Sequence, residues 1–473
     1  MTDVWMNDLV ACNGIDGATG SYALDPVPLS LLADQARRHL KIPETPQPEP
    51  TRGIDFNVMP AMSDLSEMGW GVVFARDVPA PVRAALRPLL AQRETQAGRL
   101  FRTFEFDAAS DTFQTWLARH GVAPGARDET RVPFYLLLVG SPAAIPFEFQ
   151  YLLDIEYAVG RVAFDTAAEY EAYARAVVDY ERAQARLAER EVVYWGPRHE
   201  GDSATELSAD CLLAPLANGD GAARPVAETR RFRTTRHIAA DGTRQNLVEA
   251  LHRDRQRLPP AVLFTASHGL SWPKHHARHA PEQGALLGQE WERFTPVGPE
   301  ARLAGADLGG DARVHGLVVF SFACYSAGTP ALDNFRRHRA DPPATIADRP
   351  FLSALPRRLL AHPNGGALAV IGHVDRAWGF SIRPPGTVAR VQPFRTSLNL
   401  IMLGLPVGLA TTDFSQRYAT LSANLLTSLD GLDGYRRPMT DRELAAAWIE
   451  RNDAQSYVLL GDPAARLRPE VLA

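Results

Sequence analysis

Two residues with nucleophilic and proton-transfer chemistry stand at the ends of two similar apolar runs. The first run, Ala261-Val262-Leu263-Phe264-Thr265-Ala266, leads into Ser267-His268-Gly269. The second, Gly316-Leu317-Val318-Val319-Phe320-Ser321-Phe322-Ala323, leads into Cys324-Tyr325-Ser326-Ala327-Gly328. Short continuous apolar runs of this kind read as buried strands. In an open parallel sheet, the loops at the carboxyl ends of the strands form the ligand crevice. The two strands would therefore bring an imidazole and a thiol to one sheet edge. A cysteine needs such a partner to act as a nucleophile near neutral pH. Gly269 lets the backbone pass close to a reacting carbonyl, and its N–H with that of Cys324 could form an oxyanion hole. Each residue alone has a plainer reading, since a cysteine after an apolar strand is usually inert core. The pair, each member after a buried strand, is what points to nucleophilic catalysis.

The elements that must position these groups emerge from the rest of the chain. From residue 69 strands and helices alternate: strands at 71–74, 100–106 and 134–140, helices at 82–92 and 112–120. That alternation predicts a mostly parallel sheet covered on both faces. A long helix is predicted over 166–190, with Asp165 or Thr166 as its cap and Tyr170, Tyr173, Val177 and Tyr180 on one stripe. It divides an α/β unit at 61–190 from a second unit at 191–473. The second unit reads as strands at 192–195 and 233–239, the histidine and cysteine strands, a strand at 366–372 and a last strand ending in Leu460-Gly461-Asp462-Pro463. Helices are predicted at 211–216, 245–252, 351–360, 414–427 and 440–450. Residues 1–60 read as an irregular arm with a short helix at 29–40 and an extended proline run at 43–50. The glycine-rich stretch at 13–20 is turn chemistry without a Walker lysine or a preceding strand.

At 473 residues the chain has room for about two to three domains. Its net charge of −5 argues against a partner that needs a basic field, and no nucleic-acid partner is expected. Three cysteines, Cys12, Cys211 and Cys324, are too few for a disulfide framework and fit a reducing compartment. The acidic start lacks the charge-then-apolar pattern of a signal peptide, and the most apolar window, 398–410, is interrupted by Pro406. The expectation is a cytoplasmic protein with no membrane partner. No cofactor is expected, and no metal: His276 and His279 have metal-ligand spacing but no evident carboxylate or thiol beside them.

These blocks resemble the gingipain family of the caspase-like clan of cysteine peptidases. The likeness lies in Ser267-His268-Gly269 and Ala323-Cys324, each after an apolar strand. It extends to Tyr135-Leu136-Leu137-Leu138-Val139-Gly140 with Ile145-Pro146, to Gly160-Arg161-Val162, and to Asp179-Tyr180-Glu181-Arg182. Gly366 to Gly372 with Trp378, and the closing Leu460-Gly461-Asp462-Pro463, complete it. The resemblance covers about residues 131–470 and implies a three-layer α/β/α fold with mostly parallel sheets in two sub-domains. It implies Cys324 as nucleophile, His268 as the acid/base residue and an acidic residue orienting the histidine. Glu200 is the best match for that acid, with Asp202 as rival. It further implies Asp210 as the floor and Trp378 as a wall of the pocket for the residue before the cleaved bond. A carboxylate there would select arginine by bidentate pairing. Asp210 also fits as the cap of the helix that follows it.

The activity so implied is cleavage of a few protein targets after arginine or lysine. A gasdermin-like or other effector in a bacterial defence pathway is the substrate suggested by the clan. Control by a regulatory protein or signal acting through the N-terminal region is expected. Two other readings stay open. One is the same fold with another preference at the cleaved residue, and the other is a catalytically silent scaffold that binds protein partners.

Overall fold

The computed structural model describes residues 9–10, 14–23, 27–39, 59–221, 223–254, 257–335, 344–384, 386–430 and 439–472. Cys12 and the proline run at 43–50 lie outside them. Ten strands form one central sheet: β1 (Trp70–Ala75), β2 (Phe101–Phe106), β3 (Tyr135–Val139), β4 (Ala158–Val162), β5 (Glu189–Gly196), β6 (Arg233–Ile238), β7 (Pro260–Ala266), β8 (Val318–Phe322), β9 (Ala369–His373) and β10 (Tyr457–Gly461). Their spatial order is β2-β1-β3-β4-β10-β9-β8-β7-β5-β6. Helices used below are α1 (Leu29–His39), α2 (Arg87–Ala97), α3 (Phe113–Arg119), α4 (Ala167–Arg182), α5 (Ser203–Ser208) and α6 (Asp441–Gln455).

Strands β1 to β4 are parallel to one another, and β10 runs parallel to β4. Strand β10 is antiparallel to β9, while β5 to β9 are mutually parallel. The first four strands therefore run opposite to β5–β9. The consequence for the site is direct: the carboxyl ends of β5, β7, β8 and β9 share one edge.

Alternation along the first strands shows why both faces must be covered. On β1, Val72 and Phe74 join one apolar cluster while Val73 and Ala75 join another, and on β3 Leu137 and Leu138 divide in the same way. Leu89 of α2 and Tyr173 and Val177 of α4 cover the first face; Trp116 and Leu117 of α3 cover the second. The three-layer α/β/α class implied by the resemblance is the one observed. Helix α4 begins as expected, with Thr166 and Glu169 in a capping box, but stops at Arg182. Arg468 accounts for the stop, donating to the carbonyls of Tyr180 and Ala183 at 3.3 and 2.7 Å, and β5 then begins at Glu189.

The halves of the sheet meet at a single register pair, Arg161 of β4 with Leu460 of β10. A Cβ on Gly160 would lie 2.1 Å from the Gly461 carbonyl oxygen, so this close approach requires glycine. Buried Asp462 locks the seam: it accepts from Trp70 Nε1 at 2.9 Å and from Arg93 Nε at 2.7 Å, while its amide donates to the Tyr173 hydroxyl. Arg93 also pairs with Glu181 at 2.5 Å. The N-terminal region is less irregular than its composition suggests. Leu32, Ala33 and Ala36 of α1 pack on Leu444, Ala445 and Trp448 of α6, and residues 14–23 form a hairpin that pairs with Leu270 and Ser271 after β7. Asp462→Ala is expected to destabilise the protein by about 3 kcal/mol in urea titration, because it leaves part of a buried guanidinium uncompensated.

Candidate active site

Register places the site. Ala266 of β7 and Phe322 of β8 are Cα partners, and His268 and Cys324 each follow two residues later. The two strand ends then crowd together. A Cβ on residue 269 would lie 1.8 Å from the Cys324 carbonyl oxygen, so glycine after the histidine is a packing requirement. The turn after β8 is tight as well: Tyr325 sits at φ 57° and Asp375, at the end of the neighbouring β9 loop, at φ 73°. The Tyr325 amide donates to the Asp375 carbonyl at 2.7 Å. Non-glycine residues in this region cost about 1–2 kcal/mol each and persist where the surroundings over-determine them.

His268 donates from Nε2 to Asp202 Oδ2 at 2.6 Å, with both side chains buried. Asp202 is fixed from several directions. It caps α5 by accepting from the Ala204 amide at 3.3 Å, and it accepts from Thr205 Oγ1 at 3.0 Å and from the Tyr22 hydroxyl at 3.2 Å. Burial works to raise its pKa, but the His268 charge and the hydrogen bonds from His268, Thr205 and Ala204 outweigh it. The carboxyl is held well below the usual range. His199, behind this pair, bonds the Gly288 carbonyl at 3.2 Å, and burial followed by the His268 charge lowers its pKa to about 4.

Cys324 is buried. Its sulfur accepts from the Ala377 amide at 3.3 Å, and the Gly269 N–H also faces it. Burial pushes the thiol up to about 12 against the effect of these donors. Cys324 and His268 line one small cavity of about 20 Å³, with Ala204, Thr205, Ser208 and Ile382 among its walls. The room is that of roughly one water molecule.

The structure sorts the expected residues. Cys324, His268 and Gly269 come together with Asp202. Glu200 does not: its side chain is exposed, and its carbonyl accepts from Arg293 at 3.3 Å. Asp202 occupies the position beside the imidazole expected of Glu200, because the chain turns inward at the cap of α5. Asp210 neither opens a helix nor lines the cavity. It lies in a π-helical turn at Ala209–Leu213, 56% exposed, and pairs with Arg198 at 3.1 Å. The expected helix start at 211 is displaced because Asp202 already caps the helix at Ser203. Trp378 is buried away from the cavity. Its ring packs 4.9 Å from that of Phe335, and its amide donates to Asp453 at 2.9 Å. Its neighbours Ala377 and Gly379 are the ones that reach the cavity. His276 stacks on Trp272, and His279 packs edge-on against Phe351.

Three contributors were not singled out from sequence. They are the Ala377 amide, Tyr22, and the hairpin that carries it. Asp202-Ser203-Ala204-Thr205-Glu206 is a readable helix start, and taking it as one would have favoured Asp202 over Glu200.

No protein-family model matches the chain, and neither does any curated protein. Among solved structures it is similar to the Arg-specific cysteine proteinase gingipain R, with 13% identity over 85% of this chain and 78% of that one, at a TM-score of 0.48. A structure described as a protease matches at 13% identity over 87% and 81%, with a TM-score of 0.49. The Saccharomyces cerevisiae separase–securin complex matches at 11% identity over 70% of this chain and 15% of that one, with a TM-score of 0.31. Likenesses this distant concern the chain trace; the chemistry must be argued from the residues themselves.

His199 sets an acid limit on this region. Its pKa is lowered in the folded state, so the unfolded chain binds the extra proton below the ordinary value of about 6.5. Stability is expected to be whole above that pH and to fall by about 2 kcal/mol as pH drops toward the folded value, allowing for partial exposure. His199→Gln should flatten this segment of the pH–stability curve measured by denaturant unfolding.

Proposed function

We propose that the protein is a cysteine endopeptidase in which Cys324 is the nucleophile, His268 the proton carrier and Asp202 the residue that orients it. The observation that carries this reading is the 2.6 Å Asp202–His268 hydrogen bond beside a register-matched thiol. Asp202 takes Nε2, which leaves Nδ1 to serve the reaction. The Cys324 sulfur attacks the peptide carbonyl as its proton passes to His268, and the imidazolium then protonates the leaving amine. Backbone N–H groups of Gly269 and Cys324 receive the developing oxyanion, and water hydrolyses the thioester.

The expected preference for arginine rested on Asp210, which pairs instead with Arg198 on the surface. The cavity walls beside the dyad, Ala204, Thr205, Ser208, Phe322, Ala377 and Ile382, carry no charge. A guanidinium would be desolvated there without a carboxylate partner. The lining supports an uncharged side chain before the cleaved bond. A protein target, such as the effector suggested by the resemblance, would present that bond in an extended segment.

A peptide library compared across variants tests both parts. Cys324→Ala should lower turnover by at least about 10⁴-fold, and Asp202→Asn by about 10²- to 10⁴-fold. Glu200→Gln should leave it unchanged. Cleavage surviving Cys324→Ala would overturn the activity, and faster cleavage after arginine than after alanine or serine would overturn the specificity.

A further inference from the structure

The active site as folded is covered by the chain's own N-terminal hairpin. Residues 14–23 turn back on themselves through Ile15 and Tyr22, with Asp16 accepting the amides of Ala18 and Thr19 inside the turn. One strand of the hairpin continues the backbone ladder beside the histidine loop. Ile15 and Asp16 pair in parallel with Leu270 and Ser271, immediately after His268-Gly269. The Ile15 amide donates to the Gly269 carbonyl at 3.5 Å and the Gly17 amide to that of Ser271 at 3.0 Å. On the other side, the amides of Val297 and Phe294 donate to the carbonyls of Gly17 and Gly20 at 3.0 and 3.3 Å. The segment thus lies in a groove with hydrogen-bonding backbone on both walls.

Its position over the chemistry is specific. A Cβ built on Gly14 would lie 3.9 Å from both Cys324 Cβ and Sγ, so the Gly14 backbone runs beside the nucleophile. Tyr22 covers the other two groups: its hydroxyl donates to Asp202, and its ring stands edge-on to His268 with centroids 6.3 Å apart. Cys324 and His268 are each 2% exposed. A substrate carbonyl must come within about 3–3.5 Å of the attacking atom, and at this burial it cannot do so in the folded chain. Exposed backbone beside a catalytic loop is also what an extended peptide uses to dock by strand addition. Ile15 is the side chain that anchors the segment, in an apolar nest with Leu270, Leu287, Trp291 and Val297.

We infer that residues 14–23 occupy the groove in which an extended polypeptide substrate docks, so that the folded chain is latent and works when the hairpin leaves. This rests on the peptidase reading given above. The hairpin is held by backbone hydrogen bonds, Ile15 and the Tyr22 contacts, whereas α1 stays fixed to α6 by its own apolar contacts. Release therefore need not disturb the rest of the catalytic half. Its glycines make the docking sensitive to one substitution. A Cβ on Gly20 would fall 1.8 Å from the Thr295 carbonyl oxygen, at φ +67°.

Gly20→Val in the full chain tests the inference, with a chain lacking residues 2–23 as the second variant should the first fail to fold. Iodoacetamide labelling of Cys324 is followed by peptide mass spectrometry, with half-buried Cys211 as internal reference. Release of the hairpin is expected to raise Cys324 labelling at least about tenfold relative to Cys211, because access scales with the open fraction. Peptide hydrolysis should rise with it, and a synthetic peptide of residues 14–23 should reverse both effects. Cys324 labelled equally fast in wild type and in the chain lacking 2–23 would overturn the inference while leaving the peptidase reading intact. Labelling that rises while hydrolysis falls below that of wild type would overturn it too, by making the hairpin a working part of the site. Labelling that rises and reverses with added peptide, without hydrolysis in any chain, would uphold occupancy of the groove and sink the peptidase reading instead.

Discussion

The Cys324 carbonyl oxygen lies where any side chain on residue 269 would have to be. That contact fixes how far the ends of β7 and β8 can approach, and the rest of the site follows from the approach. Parallel pairing keeps Ala266 and Phe322 level, so an imidazole and a thiol two residues further on stand level as well. The Gly269 amide is thereby turned toward the sulfur. A bulkier residue would separate the loops and remove both the donor and the alignment. The His-Gly pair is a statement about backbone distance before it is one about catalysis.

Around that contact the sheet does the positioning. Because β5, β7, β8 and β9 are adjacent and mutually parallel, four loops converge on one edge. The β5 loop brings Asp202, the β7 loop His268, the β8 turn Cys324 and the β9 loop Ala377. Three of these loops are pinned by backbone or cap interactions rather than by side-chain packing alone. Asp202 is held as a helix cap, Tyr325 by the Asp375 carbonyl, and the 378–381 segment by Asp453, which accepts from the Trp378 and Ser381 amides. Pinning of this kind limits the rotation of reacting groups, which is what preorganisation requires.

Much of this order is written locally, and some of it is not. The apolar runs at 134–140, 261–266 and 317–323 read as strands from their short length and their β-branched and aromatic content. Strand β4 was harder to read: Gly160 and Arg161 are poor strand formers, and only tertiary context satisfies the buried guanidinium. Gln150 and the carbonyls of Gly140 and Ile145 take it at 2.7 to 3.1 Å. The choice between Glu200 and Asp202 as the orienting acid, and the place of Asp210 outside the cavity, both turned on one helix start. All three are acidic and close in sequence, and only the cap at Asp202 decides which faces inward. Trp378 was expected as a pocket wall, and nothing local in the sequence shows that it packs with α6 instead. The hairpin at 14–23 was invisible in a different way, since its glycines and short polar residues are the composition of a loop. Its order comes from the groove it fills.

Burial links the hairpin to the chemistry of the thiol. Cys324 is 2% exposed, and burial pushes its pKa up to about 12 in spite of two nearby N–H donors. A thiolate is the reactive form, so the covered cysteine is both inaccessible and electrostatically silent. Asp202 behaves differently in the same dry place, because its hydrogen bonds are direct and charge-assisted and keep it ionised. The orienting half of the machinery is thus assembled in the covered state, and what is missing is hydration and access at the sulfur. On the release proposed above, water would enter beside Cys324, the desolvation that raised its pKa would relax, and the Gly269 and Ala377 amides would be left to favour the thiolate. A single movement of about ten residues would then change access and reactivity together, at the loss of the Tyr22 hydrogen bond to Asp202 but with the His268 and Thr205 bonds kept.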